Sequence, residues 1–292
     1  MPLSPTPLNH LSTDDHLPLA CHCHAGRRGF LRALVASAAV GGAGSAWAQV
    51  EVGSTSRLSK LVPAEDLESA ATDQYQELLQ KAKAQGALAG SNNAQLQRLR
   101  AIAQRLIPYT TQWNARASQW RWEVNLIGSK EINAFCMPGG KIAFYTGILE
   151  KLQLTDDEVA MVMGHEMAHA LREHSREQMA KNSATSIGLS LGAQLLGLGD
   201  LGNLAARMGT QLLSLRFSRS DESEADLVGL EIAARAGYNP QAAISLWRKM
   251  GEATGDGGIG FLSTHPTGPD RIRELERNIP RVQGLYEAAR RR

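Results

Sequence analysis

His165-Glu166-Met167-Ala168-His169 spells H-E-x-x-H, and its spacing has a chemical meaning. On a helix, residues four apart project from one face about 6 Å apart, so two imidazoles can reach one Zn²⁺ at about 2.0 to 2.1 Å each. Glu166 beside them is then placed to address a metal-bound water as general base. Two imidazoles do not complete a catalytic centre, because such a zinc typically takes three protein ligands and keeps a fourth position for water. One known pattern draws the third from the same helix, H-E-x-x-H-x-x-G-x-x-H. Here Arg172 stands where glycine is required and His174 falls one residue early. The other solution is a glutamate from a later helix, and Asp221-Glu222-Ser223-Glu224-Ala225-Asp226 offers one. With Glu222 as ligand, Asp226 at i+4 faces the same side and can hold a ring nitrogen of a ligating histidine, fixing its tautomer. Glu224, two positions from Glu222, is expected to point elsewhere.

The elements that must position these groups are legible around them. Thr155 and Glu158 form a T-x-x-E capping box with Asp156 and Asp157 in the first turn, so the H-E-x-x-H helix starts there and is expected to run towards His174 or beyond. Residues 63–85 carry acids early and lysines late, which suits a helix. Asn92 or Asn93 caps another, with Leu96, Leu99, Ile102, Ala103 and Leu106 on one face and Pro108 at its end. From Trp120 the period changes to two: Trp120, Trp122, Val124 and Leu126 alternate with Arg121, Glu123 and Asn125, predicting a half-buried strand. Residues 132–137 and 141–146 flank Pro138-Gly139-Gly140 and predict a hairpin. The Leu/Ala/Gly-rich residues 183–215 read as core helices broken near Gly197 to Gly202. Residues 221–236 read as a helix ended by Gly237, Asn239-Pro240 as the start of the next, 251–260 as a mobile loop, and 269–278 as a short helix. The expected fold class is α+β, mainly α, with a small sheet or hairpin beside the H-E-x-x-H helix.

Together with Asn133-Ala134-Phe135-x-x-Pro138-Gly139-Gly140 upstream and Glu222-x-x-Ala225-Asp226 downstream, the motif resembles metallopeptidase family forty-eight. These are zinc endopeptidases that include the HtpX heat-shock protease, the CAAX prenyl proteases, and Oma-type and periplasmic relatives. The resemblance covers about residues 90–280. It implies a zincin-like fold of the gluzincin type and one Zn²⁺ per chain held by His165, His169 and Glu222, with Glu166 as base. It also implies an edge strand through Asn133, Ala134 and Phe135 that pairs with extended polypeptide substrate. Ser263-Thr264-His265-Pro266 resembles the family's late S-x-H-P segment, and so implies His265 near the zinc, where it would stabilise the oxyanion. The spanning helices of membrane-embedded members are absent from this sequence, so a single-domain member without prenyl-protein processing is expected.

Composition narrows the remaining choices. The 292 residues, 43% hydrophobic and 21% charged, suit one good core. A net charge of +2 with no basic block outside the two ends excludes nucleic acid as the expected partner. No apolar run reaches the length of a membrane span. Residues 1–48 read as an export signal: Arg27-Arg28-Gly29-Phe30-Leu31 resembles a twin-arginine leader, a small-residue apolar segment follows, and Ala46-Trp47-Ala48 is an A-x-A cleavage signal. A mitochondrial presequence is the weaker alternative. The expected layout is therefore a removed signal (1–48), a flexible linker (49–62) and a zinc peptidase domain (63–292) in the periplasm. The expected activity is hydrolysis of unfolded or misfolded cell-envelope proteins. The alternative is a metal-dependent peptide-binding or chaperone protein whose peptidase activity is latent or gated. Association with a membrane surface or with outer-membrane proteins stays open. Cys136, the one cysteine beyond the leader, is expected to be a small buried apolar residue.

Overall fold

The computed structural model describes residues 50–182, 212–253, 260–265 and 269–292. The expected leader, most of the apolar stretch 183–215 and the centre of the 251–260 loop lie outside the described residues. Within them the chain is mainly helical around a small sheet: α1 (Ala64–Ala84), α2 (Ala94–Leu106), β1 (Glu123–Ile127), β2 (Ala134–Met137), β3 (Lys141–Tyr145), α3 (Thr146–Leu152), α4 (Asp156–Leu171), α5 (Arg219–Arg235), α6 (Ala242–Glu252), α7 (Gly260–Thr264) and α8 (Pro269–Arg290).

Strand order is β1-β3-β2. β1 runs parallel to β3, with Val124 opposite Ile142, and β2 pairs antiparallel to β3, with Cys136 opposite Ile142. The β2–β3 hairpin turns through Gly139 and Gly140 at φ +83° and +77°, and a Cβ on Gly140 would stand 2.8 Å from the Trp122 indole. Only glycine fits there.

The expected in-and-out alternation of the first strand is overturned. The strand begins at Glu123, leaving Trp120 and Trp122 ahead of it, and Asn125 is buried along with its neighbours. The reason is that the sheet is covered on both faces, so no face is left for solvent. α1 lies over one side, where Tyr75 donates its hydroxyl to the Ile142 carbonyl at 2.6 Å and accepts from the Asn125 amide at 3.1 Å. Residues of β1 and β3 on the other side join the main core with α4 and α5.

α4 is the buried spine. Its capping box is present, with the Thr155 N–H on Glu158 at 2.9 Å and the Glu158 N–H on the Thr155 hydroxyl at 3.3 Å. Every residue from Glu158 to Leu171 is buried, which Val159-Ala160-Met161-Val162-Met163 already favours. The helix stops earlier than expected: Glu173 takes a left-handed φ of +61°, and helix resumes over residues 174–182. α8 is longer than expected, because Leu275, Ile279 and Val282 continue a buried stripe through the internal Pro280.

The expected linker is fastened. Val50 is buried and donates its N–H to Glu231 at 2.9 Å, a 3-10 turn forms at Arg57–Leu61, the Ser59 hydroxyl donates to Glu173 at 3.0 Å, and Arg176 donates to the Val62 carbonyl. None of the described helices is long and apolar enough to cross a membrane.

Candidate metal centre

α4 and α5 supply most of the site because their backbones touch. A Cβ on Gly164 would lie 2.8 Å from the Gly229 carbonyl oxygen, and one on Gly229 would lie 2.6 Å from the His165 nitrogen. At that crossing His165 and His169 of α4 face Glu222 and Asp226 of α5. α5 is oriented by its own capping box, Ser218 with Asp221, and its burial from Ala225 to Arg235 fixes its inner face.

His165, His169, Glu222 and His265 converge, each offering one donor atom within 4.8 Å of the others, and all four are buried. His165 Nε2 and His169 Nε2 are 3.1 Å apart, and His165 Nε2 and His265 Nδ1 are 3.3 Å apart. Glu222 Oε1 is 2.9 Å from His265 Nδ1 and 3.5 Å from His169 Nε2, and its Oε2 is 3.5 Å from His165 Nε2. Tetrahedral ligands at zinc bond lengths would stand about 3.3 Å apart, so these spacings suit one ion. The protons point the same way. His165 holds Asp226 through Nδ1 at 3.0 Å, and with the proton on that nitrogen its Nε2 offers a lone pair to the cluster. Lone pairs brought together in a buried space call for a cation, and the donor set fits a divalent metal ion.

Glu166 lies beside this cluster with Oε1 buried and lacking a hydrogen-bond partner among the described residues; His265 Nε2 is 3.5 Å away. Burial raises its carboxyl above the ordinary range, against the opposing pull of His265 and His165. Asp226 goes the other way. Burial would raise it, but Arg271 and the His165 hydrogen bond outweigh burial and hold it at about 2. Asn133, just before β2, and Phe135 are half-buried and Ala134 is buried, and β2 is an outer strand of the three-stranded sheet. Cys136 is buried in the wall of a cleft of about 40 Å³ shared with Glu166, His169 and His265.

His265 sits closer than an oxyanion stabiliser would, with Nδ1 inside the donor set. Its position comes from α7: the Phe261 N–H bonds to the Ile132 carbonyl at 3.0 Å, the His265 N–H bonds to the Phe261 carbonyl at 2.9 Å, and the Phe261 ring stacks on the imidazole at 4.4 Å.

Sequence reasoning missed several groups. Arg271 of α8 reaches Glu222 Oε2 at 2.7 Å and Asp226 at 2.7 and 2.8 Å, with its guanidinium 3.6 Å over the Trp247 ring. A lone arginine at a helix start carries no periodic signal, so nothing in the sequence marked it. Phe217 stacks on His169 at 3.9 Å, and its N–H bonds to the Thr264 carbonyl. His174 is also buried, with its Nδ1 2.9 Å from His169 Nδ1, and Glu224, outside the four-donor cluster, lies against His174 at 3.1 Å. The break at Glu173 takes His174 out of register with α4, and sequence spacing does not show it.

A helix-borne H-E-x-x-H, a glutamate from a second helix and a small sheet alongside define the metallopeptidase class of zincin-like folds. A model of Peptidase family M48 matches residues 93–279, and the chain belongs to that family. Among its relatives, the mitochondrial metalloendopeptidase OMA1 of Schizosaccharomyces pombe is 39% identical over 175 residues, 59% of this chain and 51% of that protein. The protein of the same name from Arabidopsis thaliana is 42% identical over 154 residues, 53% and 31% respectively. A putative beta-barrel assembly-enhancing protease of Vibrio cholerae is 31% identical over 168 residues, 53% and 34% respectively. The chain thus spans at most about half the length of these relatives.

The periplasmic placement is corrected by this comparison. The relatives at 39% and 42% identity bear mitochondrial names. The physical reason for the error is that an Arg-rich, acid-poor segment serves both kinds of address, so the composition of residues 27–48 does not discriminate them.

Proposed function

We propose that the chain is a zinc-dependent endopeptidase that hydrolyses peptide bonds in unfolded or misfolded polypeptides. The observation that carries this reading is the convergence of His165, His169 and Glu222 beside a buried Glu166 oxygen that has no hydrogen-bond partner among the described residues. Zinc held by those residues would supply Lewis acidity, acidifying water and polarising the scissile carbonyl. Glu166 Oε1 takes the proton of the attacking water and passes it to the leaving amine. Asp226, fixed by Arg271, keeps His165 in the tautomer whose Nε2 is free to bind. An extended segment laid beside Asn133, Ala134 and Phe135 on β2 would be read through its backbone, which favours chains that have lost their fold. The name of the Vibrio cholerae relative supports including membrane-barrel precursors among the substrates to be tried.

A second reading is favoured by His265. With its Nδ1 in the donor set, four protein groups could hold an ion there, one more than the three that a catalytic zinc usually takes. This supports a gated enzyme, or a peptide-binding protein with latent activity, in which His265 must withdraw before hydrolysis.

The test compares casein cleavage by the zinc-loaded wild type and Glu166→Gln, with bound zinc measured in both. Cleavage by wild type alone, at equal zinc content, is expected. Equal cleavage by both would remove Glu166 from its role. One zinc per chain with no cleavage by either would leave the gated reading.

A further inference from the structure

Each histidine of the H-E-x-x-H motif has a second ring nitrogen that must find a partner, and the two are served differently. His165 uses Asp226, which Arg271 clamps. Among the described residues, no carboxylate is hydrogen-bonded to the Nδ1 of His169. Instead His174 Nδ1 stands 2.9 Å from His169 Nδ1, and His174 Nε2 stands 3.1 Å from Glu224 Oε2. Glu224 is in turn paired with Arg172. His174 is 1% exposed, and it follows a break in the helix at Glu173, whose φ of +61° takes it out of register with α4.

The protons on this path admit one neutral arrangement. His169 Nε2 is the atom that converges with His165 and Glu222, so its lone pair must be free and its proton must sit on Nδ1. That N–H donates to His174 Nδ1, which must then be bare. The His174 proton is therefore on Nε2, where it donates to the Glu224 carboxylate, an obligate acceptor. The reversed arrangement, with His174 Nδ1 donating, would put the His169 proton on the converging Nε2 and set a bare His174 Nε2 against the Glu224 carboxylate at 3.1 Å.

We propose that His174 and Glu224 are positioning residues for the metal centre, an imidazole–carboxylate relay that fixes the tautomer and aim of His169 as Asp226 does for His165. The inference rests on the metal-site reading above. It makes the centre two-armed: Arg271–Asp226–His165 on one side and Arg172–Glu224–His174–His169 on the other.

The experiment measures Zn²⁺ affinity of the full chain by chelator competition, and the visible absorption of the Co²⁺-loaded protein, for wild type, His174→Leu and His174→Asn. The asparagine amide oxygen stands close to where Nδ1 stands and can accept the His169 proton. His174→Leu is expected to lose about 10- to 100-fold in zinc affinity and to shift the cobalt bands, while His174→Asn stays within about threefold of wild type. Wild-type affinity and an unchanged cobalt spectrum in His174→Leu would overturn the proposal, as would equal losses in both variants, which would mark a packing role. If His174→Leu does not fold, Glu224→Ala carries the test at a side chain that is 21% exposed, with about a tenfold loss expected and no loss overturning it. A wild type that takes up no metal would overturn both the relay and the reading it rests on. Metal bound equally by all variants would overturn the relay alone.

Discussion

Gly164 of α4 and Gly229 of α5 meet backbone to backbone, and this contact sets the separation between the two helices that carry the metal-binding groups. A side chain on either would meet main-chain atoms, which have no rotamer to yield. We expect Gly229→Ala to push the helices apart, destabilise the fold by about 1–3 kcal/mol and weaken zinc binding together with it. Thermal unfolding and zinc titration of the same variant check this. Unchanged affinity in a destabilised protein would separate the crossing from the site.

Arg271 neutralises two buried carboxylates at once. Removing it by Arg271→Met leaves Glu222 and Asp226 uncompensated, at a cost of about 3–5 kcal/mol in the metal-free protein. Bound zinc should offset part of that loss, since the ion restores positive charge beside Glu222. Urea unfolding with and without zinc reads both quantities, and a variant as stable as wild type in both states would contradict the assignment.

Zinc removal is expected to lower stability in the wild type by an amount set by mass action. Zinc at a hundredfold excess over its dissociation constant stabilises the fold by about 2.7 kcal/mol. Melting temperatures across a zinc series should rise with the logarithm of free zinc above that constant and stay flat below it.

The start of α4 predicts a pH dependence away from the metal. Burial alone would raise the Glu158 carboxyl, but Lys249 at 2.7 Å, the Thr155 N–H and Ser245 together hold it below its ordinary value. A carboxyl depressed in the folded state contributes stability that is complete above its ordinary value of 4.5 and fades as pH falls through the folded one. Glu158→Gln should therefore be less stable than wild type at neutral pH, with the gap narrowing in acid. Denaturant midpoints at pH 7 and in acid decide it, and a gap that widens in acid would refute it.

The sequence was most informative where a local rule had one solution. Thr155 and Glu158 placed the start of α4, the four-residue spacing of His165 and His169 put both on one face, and Pro138-Gly139-Gly140 marked the hairpin. It was less informative where tertiary contacts decide. Asn125 looked like a solvent-facing residue until α1 covered that side of the sheet. The place of His174 beside His169 could not be read from helical spacing, because the backbone changes hand at Glu173. Arg271 and the Gly164–Gly229 crossing joined segments far apart in the chain, and no short-range pattern encodes such pairings.

The position of Arg271 also has a consequence for the order of synthesis. The ribosome makes the H-E-x-x-H helix well before it makes α8, so a chain interrupted in between carries the whole motif but not the cation that lets Glu222 and Asp226 lie side by side. Such a chain would have to bring its two carboxylates together without the positive charge they share in the finished fold. An arginine at the start of the last helix thereby ties the charge balance of the metal-binding groups to a finished chain.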